Sequence, residues 1–256
     1  MSTDLRSPQP LPLPAPAPAA GTQPAHLLDN AAWAALRGPH RRFAETVGSA
    51  ARYLPDVAPF VALADPASPR AWDDLAVLVG PGEQTAVTGV AAVPDGWETV
   101  RQGTGVQLVA DTLRTAHDPE AVRLTPADVP EMLDLVARTQ PGPFLPRTIE
   151  LGAYWGIRRG GRLLAMAGER LRPPGYTEIS AVCTDAGHRG GGLATRLVRH
   201  VADGVRGRGD IPFLHAAADN ENAIRLYLAM GFTLRRRNLF VVVRAPGGNS
   251  PTAHGG

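Results

Sequence analysis

The chain has 256 residues, 44% of them hydrophobic and 20% charged, with a formal net charge of +2. That size and mix suit one or two globular domains with a sizeable core, and so balanced a charge makes no electrostatic case for nucleic acid. The single cysteine, Cys183, excludes an intrachain disulfide and any cysteine-rich metal site.

No apolar run is long enough to span a membrane, and prolines break up the apolar N-terminus before a signal-peptide core can form. Cytoplasmic residence is therefore expected, with no membrane partner.

Residues 1–24 read as a disordered tail. Pro8, Pro10, Pro12, Pro14, Pro16, Pro18 and Pro24 alternate there with other residues, largely Leu and Ala, a pattern that favours extended polyproline II. Residues 246–256 are rich in Gly, Pro and Ser and read the same way. Between the first tail and residue 118 lies an α/β companion half that shows no chemistry of its own. A short helix is expected through Trp33 and Leu36. A second follows Ser68-Pro69, a good cap and first helical position, and stops at Gly80-Pro81-Gly82. Strands are expected at 85–90, 97–101 and 106–109.

From residue 119 the pattern becomes denser. A short strand at 122–124 leads through Thr125-Pro126, with Asp128 as the reciprocal capping partner, into a helix carrying Val129, Met132, Leu133 and Val136. Two strands at 154–158 and 163–170 meet at Gly160-Gly161, the signature of a hairpin. A strand at 176–184 follows, then a turn, and then an amphipathic helix in which Leu193, Leu197, Val201 and Val205 stand four apart. A strand at 212–217 comes next. Asn220 then caps a helix that Gly231 ends, and 232–244 closes with strands rich in Phe and Val.

The glycine run between the strand at 176–184 and its helix has a physical use. The first turn of a helix leaves backbone N–H groups without intrahelical partners, at the positive end of the helix dipole. A backbone bare of Cβ atoms approaches a phosphate closely, so Gly190-Gly191-Gly192 reads as a pyrophosphate cradle. There is no Gly-Lys-Ser/Thr of a nucleotide-triphosphate loop, and Thr195 stands where a dinucleotide fold needs its last glycine.

Arg189-x-x-Gly192-x-Ala194 matches the Gln/Arg-x-x-Gly-x-Gly/Ala signature of the GNAT N-acetyltransferase superfamily. A second stretch, Asn220-x-x-Ala223-x-x-Leu226-Tyr227-x-x-x-Gly231-Phe232, resembles that family's fourth helix and the strand after it. The resemblance covers about 119–245. It implies a GNAT acyltransferase fold, a mixed and mostly antiparallel sheet flanked by helices, preceded by the α/β half at 25–118, a possible degenerate copy.

The resemblance also implies the chemistry. Acetyl-CoA would be the co-substrate, with no metal. Gly190, Gly191, Gly192, Leu193, Ala194 and Thr195, flanked by Arg189, would hold its pyrophosphate, and the main chain of Val182, Cys183 and Thr184 its pantetheine arm. Glu178 falls where several family members carry a general base, and Tyr227 where they carry the acid that protonates the departing thiolate. Asn220 caps its helix, touches the cofactor, or both. Cys183, with no His or Asp arrangement in sequence to activate it, reads as packing.

The expected acceptor is a primary amine of a small molecule or a protein. The alternative is a non-catalytic acyl-CoA-binding regulatory module or partner subunit. Acyl-chain preference and oligomeric state have no signature in the sequence.

Overall fold

The computed structural model describes residues 26–247 apart from Ala91 and Asp111. The tail expected at 1–24 lies outside the described residues, as does all but the start of the one expected at 246–256.

The chain opens with a 3-10 turn, Leu27–Asn30, and α1, Ala31–Leu36. Three short strands follow, β1 (Ala44–Val47), β2 (Ala50–Tyr53) and β3 (Val61–Leu63), in a small antiparallel sheet. Sequence reading missed all three, because they are too brief for an alternating pattern to declare itself. Next come α2, Pro69–Val79, with Pro69 in its first turn as expected, and β4, Gln84–Thr88.

β5 is one strand, Glu98–Ala110, and not the two expected at 97–101 and 106–109. Gly103 and Gly105 lie between the two expected strands, and both are packing positions. A Cβ at Gly103 would stand 2.4 Å from the Phe240 ring, and one at Gly105 would stand 3.4 Å from the Ala216 carbonyl. Glycine is used here for close approach and not for a turn.

The remaining elements follow the expected order: β6 (Val122–Arg123), α3 (Val129–Thr139), β7 (Tyr154–Arg159), β8 (Arg162–Glu169), β9 (Tyr176–Thr184), α4 (Leu193–Gly207), β10 (Ile211–Ala217), α5 (Glu221–Met230) and β11 (Phe232–Arg244). Thr125 and Asp128 form the expected capping box before α3. Gly231 ends α5 in the left-handed conformation at φ 101°. β11 is also a single strand, kinked by register shifts at Leu234/Arg236 and Val242/Val243.

The main sheet has eight strands in the order β4-β11-β5-β10-β9-β8-β7-β6, antiparallel at every pairing except β9 with β10. β5 lies between β10 and β11, so two strands from before residue 118 complete the sheet of the later half. A boundary is expected at 118 from the sequence, but the sheet does not divide there.

Each face of the sheet is covered. α4 buries Leu197, Val198, Val201, Ala202 and Val205 against Leu108, Ile157, Ala165 and Leu214, with Tyr227 and Met230 of α5 in the same core. At about 1.5–3 kcal/mol for each large aliphatic side chain buried, that stripe fixes α4 to the sheet. α3 packs Met132 and Leu135 over Tyr154, Met166 and Cys183. The N-terminal segment seats Leu28, Phe43 and Tyr53 on Phe213.

Candidate active site

The site begins with a break in the sheet. β9 and β10 run parallel and pair at Tyr176, Thr177 and Glu178 with Ile211, Pro212 and Phe213. Beyond that point β10 follows β5, ending with Ala217 opposite Gly105, while β9 follows β8, with Thr184 opposite Ala165. The divergence has a local cause: Ala181 adopts φ 52°, and the β8/β9 register slips between Met166 and Gly168. This bulge inserts a residue and bends the strand. It sends Val182 toward the α4 core and Ala181 and Cys183 toward the α3 side. The β10-facing edge of Val182, Cys183 and Thr184 is left without a strand partner, and unpaired backbone groups at an edge seek a ligand.

The glycine turn lies at the end of β9. Arg189 donates from Nε to the Thr184 carbonyl at 3.3 Å, folding the turn back on the strand. Gly190 and Gly192 have φ 80° and 75°, the left-handed region that favours glycine, and Cβ atoms there would meet open space. Gly192 is the N-cap of α4, and no side chain caps this fifteen-residue helix. The first-turn N–H groups of Leu193, Ala194 and Thr195 therefore face outward at the positive end of the helix. Arg196 is not part of this opening. It grips Asp118 at 2.6 and 2.7 Å and also binds Glu120, and the guanidinium holds the Asp118 carboxyl down at about 2. α4 is thereby anchored to the loop before β6.

Acetyl-CoA fits this arrangement on three observations: an uncapped glycine-rich helix start, an unpaired strand edge, and a buried Thr184 hydroxyl oxygen with no partner. Asn220 accepts from the Ala223 N–H at 3.1 Å and so does cap α5. Cys183 is buried, and burial pushes its thiol up, as suits packing and not a nucleophile.

Tyr227, on α5, is 7% exposed in the core between α4 and the sheet, edge-on to Phe232 at 5.8 Å. Burial pushes its hydroxyl up to about 12, with Cys183 a second contributor. A protonated phenol is the form a proton donor needs.

Glu178 does not stand as expected. Its side chain is fully buried. Arg170 donates to both carboxylate oxygens, Nη2 to Oε1 at 2.7 Å and Nε to Oε2 at 2.9 Å. The Leu171 N–H reaches Oε2 at 3.2 Å, and the His215 ring lies 2.8 Å from Oε1 through Nδ1. Burial pushes this carboxyl up, but Arg170 and His215 more than offset it and hold the group far below the usual carboxylate range. A carboxylate so saturated is a poor proton acceptor. This corrects the expectation of Glu178 as a free general base: a mid-strand glutamate looks available in sequence, and its ion-pair partner sits eight residues away across a turn.

Three members of this cluster went unnoticed in the sequence. Besides Arg170 and His215, Gln107 places its Nε2 3.0 Å from His215 Nε2 and 2.9 Å from the Leu28 carbonyl, while its Oε1 accepts from Arg235 at 2.7 Å. Arg235 and Arg236 both reach Asp29. They lie at the β11 register shift between Leu234 and Arg236, which breaks the alternation of side chains along that strand. The one available signal for His215 was its polarity in an otherwise apolar strand, Ile211-Pro-Phe-Leu-His-Ala-Ala217.

Known proteins resemble this chain in sequence and in fold. Residues 154–241 match the FR47-like protein family. A solved putative acetyltransferase from the GNAT family of Novosphingobium aromaticivorans is 38% identical at TM-score 0.79, covering 88% of this chain and 100% of that one. A GCN5-related N-acetyltransferase from Kribbella flavida shares the fold, at 18% identity and TM-score 0.58 over 86% of this chain and 97% of that one. Among curated relatives, the N-alpha-acetyltransferase RimI of Mycobacterium tuberculosis is 38% identical over 90 residues, 33% of this chain and 56% of that protein. The uncharacterized protein ML0378 of Mycobacterium leprae is 35% identical over 163 residues, 56% of this chain and 44% of that protein. The chain thus spans about half the length of these curated relatives.

Proposed function

The chain belongs to the GNAT N-acetyltransferase superfamily and is an acyltransferase, and from that premise we propose that it transfers the acetyl group of acetyl-CoA directly to a primary amine, specifically the α-amine of a peptide or protein. The observation that carries this reading is the wedge between β9 and β10, which opens toward the uncapped glycine start of α4.

In this reading the backbone N–H groups of Gly190, Gly191, Gly192, Leu193, Ala194 and Thr195 hold the pyrophosphate, assisted by Arg189. The freed edge of Val182, Cys183 and Thr184 pairs with the pantetheine arm. Acetyl-CoA supplies the activated thioester. An N–H of Val182 or Cys183 polarises its carbonyl, already oriented before charge develops. Tyr227 returns a proton to the departing thiolate.

The α-amine follows from the state of Glu178. An α-amine titrates near 7.7–8.0 and is about one-third neutral at pH 7.5, whereas a lysine amine near 10.4 is only about 0.1% neutral. With no free carboxylate on β9, the acceptor that needs the weaker base is favoured. The name of the mycobacterial relative, an N-alpha-acetyltransferase, points the same way. We place the reaction in the cytoplasm, where the lone Cys183 thiol stays reduced.

The test is release of free thiol from acetyl-CoA against a panel: peptides with free N-termini, N-blocked peptides carrying a lysine, and small polyamines. Thiol release with free N-termini supports the assignment. Release only with lysine peptides or polyamines overturns the acceptor class. Acetyl-CoA binding without thiol release from any amine would make the chain a binding module.

A further inference from the structure

We infer that His215 is the general base that takes the proton from the acceptor amine, and that Glu178 and Gln107 are the residues that position it; this rests on the acetyl-transfer reading above. His215 lies on β10 two residues past Phe213, the last residue to pair with β9, so it stands where the wedge opens. Its side chain is 27% exposed whereas that of Glu178 is 0% exposed. An incoming amine can reach the imidazole and cannot reach the carboxylate.

The surroundings fix which nitrogen does the work. Glu178 is kept ionised by Arg170 and has no proton to give, so His215 Nδ1 carries a hydrogen and donates it to Oε1. That leaves the lone pair on Nε2. The Gln107 amide is oriented by Arg235 on its oxygen and by the Leu28 carbonyl on its nitrogen, so its second N–H points at that lone pair. When a substrate ammonium donates in its place, the Gln107 nitrogen keeps its bond to the Leu28 carbonyl. A carboxylate holding Nδ1–H fixes the tautomer and the orientation of the ring.

The proton inventory closes. The ammonium gives one proton to His215 Nε2. The neutral amine attacks the thioester carbon, a C–N bond forms, and the C–S bond breaks. The thiolate takes the Tyr227 proton, the new amide nitrogen loses its extra proton to restore the phenol through solvent, and His215 releases its proton to water. One proton leaves per turnover.

The charged and titratable groups around His215 come from six places: Glu178 on β9, Arg170 after β8, Arg235 on β11, Asp29 in the opening 3-10 turn, His40 after α1 and Tyr53 on β2, the last two bonding each other at 2.9 Å and lying within electrostatic reach of Glu178. A pH profile reports on His215 only when compared between variants that leave these in place.

The experiment measures kcat and KM against pH for thiol release, using acetyl-CoA and an alanine-initiated hexapeptide, or the panel amine with the highest release. His215→Gln and His215→Asn are compared with the wild type; Asn retains a donor toward Glu178. The expected result is a kcat lowered about 100-fold or more and a KM for acetyl-CoA within about threefold, the range of a base that does not hold the cofactor. The acid limb of the profile should flatten, and added imidazole should restore part of the rate. Glu178→Gln should shift that limb without removing it.

A His215→Asn enzyme that binds acetyl-CoA normally and keeps its rate and acid limb overturns the base assignment alone. A wild type that releases no thiol with any amine overturns the transfer reading and this assignment with it. If both His215 variants unfold, a wild-type acid limb that tracks the His215 ring titration by NMR supports the assignment, and one that does not overturns it.

Discussion

The glycine turn at 189–195 and the strand position at 178 lie on either side of one wedge, yet they handle charge in opposite ways. The turn offers backbone donors to open space, with no side chain to compete for them. Glu178 is sealed, with each carboxylate oxygen already bonded. The turn is built to receive a ligand's charge, and the cluster to keep its own charge satisfied. The first costs the fold little. The second is stable only while complete, because burying two charges is repaid only by close pairing.

Removing one partner should therefore have the largest effect. Arg170→Met leaves a fully buried, unpaired carboxylate and is expected to cost about 3–5 kcal/mol in urea unfolding at pH 7.5. In this variant burial raises the Glu178 carboxyl above its unfolded value, so the folded state binds the extra proton. Its deficit relative to wild type should shrink between pH 7.5 and pH 4.5. A deficit independent of pH would mean that the loss is packing on Phe60, over whose ring the guanidinium stands at 4.8 Å.

His40 gives the next largest effect and reports on the cluster's N-terminal wall. It is 4% exposed, and burial lowers it to about 4, with nearby arginines adding to the depression. A histidine depressed in the folded state binds its proton more readily when unfolded. Its contribution is fully present above about pH 6.5 and is lost as pH falls toward 4, on the order of 3 kcal/mol at most. Wild-type stability should fall across that window, and His40→Gln, which does not titrate, should flatten the slope.

Tyr227 tests the open side of the wedge. Tyr227→Phe keeps the ring against Phe232 and removes only the hydroxyl. The expected outcome is a kcat lower by about 100-fold with little change in acetyl-CoA binding. An unchanged kcat would leave the hydroxyl no part in the reaction.

The same contrast separates what was legible in the sequence from what was not. The turn, its helix and the cap at Asn220 are local: donor and acceptor lie within a few residues, so glycine spacing and periodicity disclose them. The elements of the later half followed from the same kind of signal, and its fold from the family resemblance that the two motifs carry. The Glu178 cluster is assembled from Asp29, Gln107, Arg170, His215 and Arg235, spread over more than two hundred positions, and each alone looks like an ordinary surface residue. The continuous β5 was hidden for the same reason. What Gly103 and Gly105 are for is decided by Phe240 and by the Ala216 carbonyl, more than a hundred residues later.

The smallest expected effect falls on the turn itself. Gly192 holds φ 75° as the N-cap of α4, and a Cβ there would touch nothing, so Gly192→Ala carries the left-handed penalty without a clash. That penalty is about 1–2 kcal/mol. If the turn keeps its shape, the whole cost appears as lost stability while acetyl-CoA affinity is unchanged. If the turn relaxes to a conformation alanine prefers, stability recovers and the N–H groups turn away from the pyrophosphate, weakening acetyl-CoA binding about tenfold. Measuring both quantities on one variant separates the two outcomes, and only the second says that the backbone's orientation, and not its openness alone, holds the phosphate. α4 is anchored to Asp118 through Arg196 and buried along its length, whereas the three glycines are exposed. The turn is the softer partner, so weaker binding with near-normal stability is the result we expect.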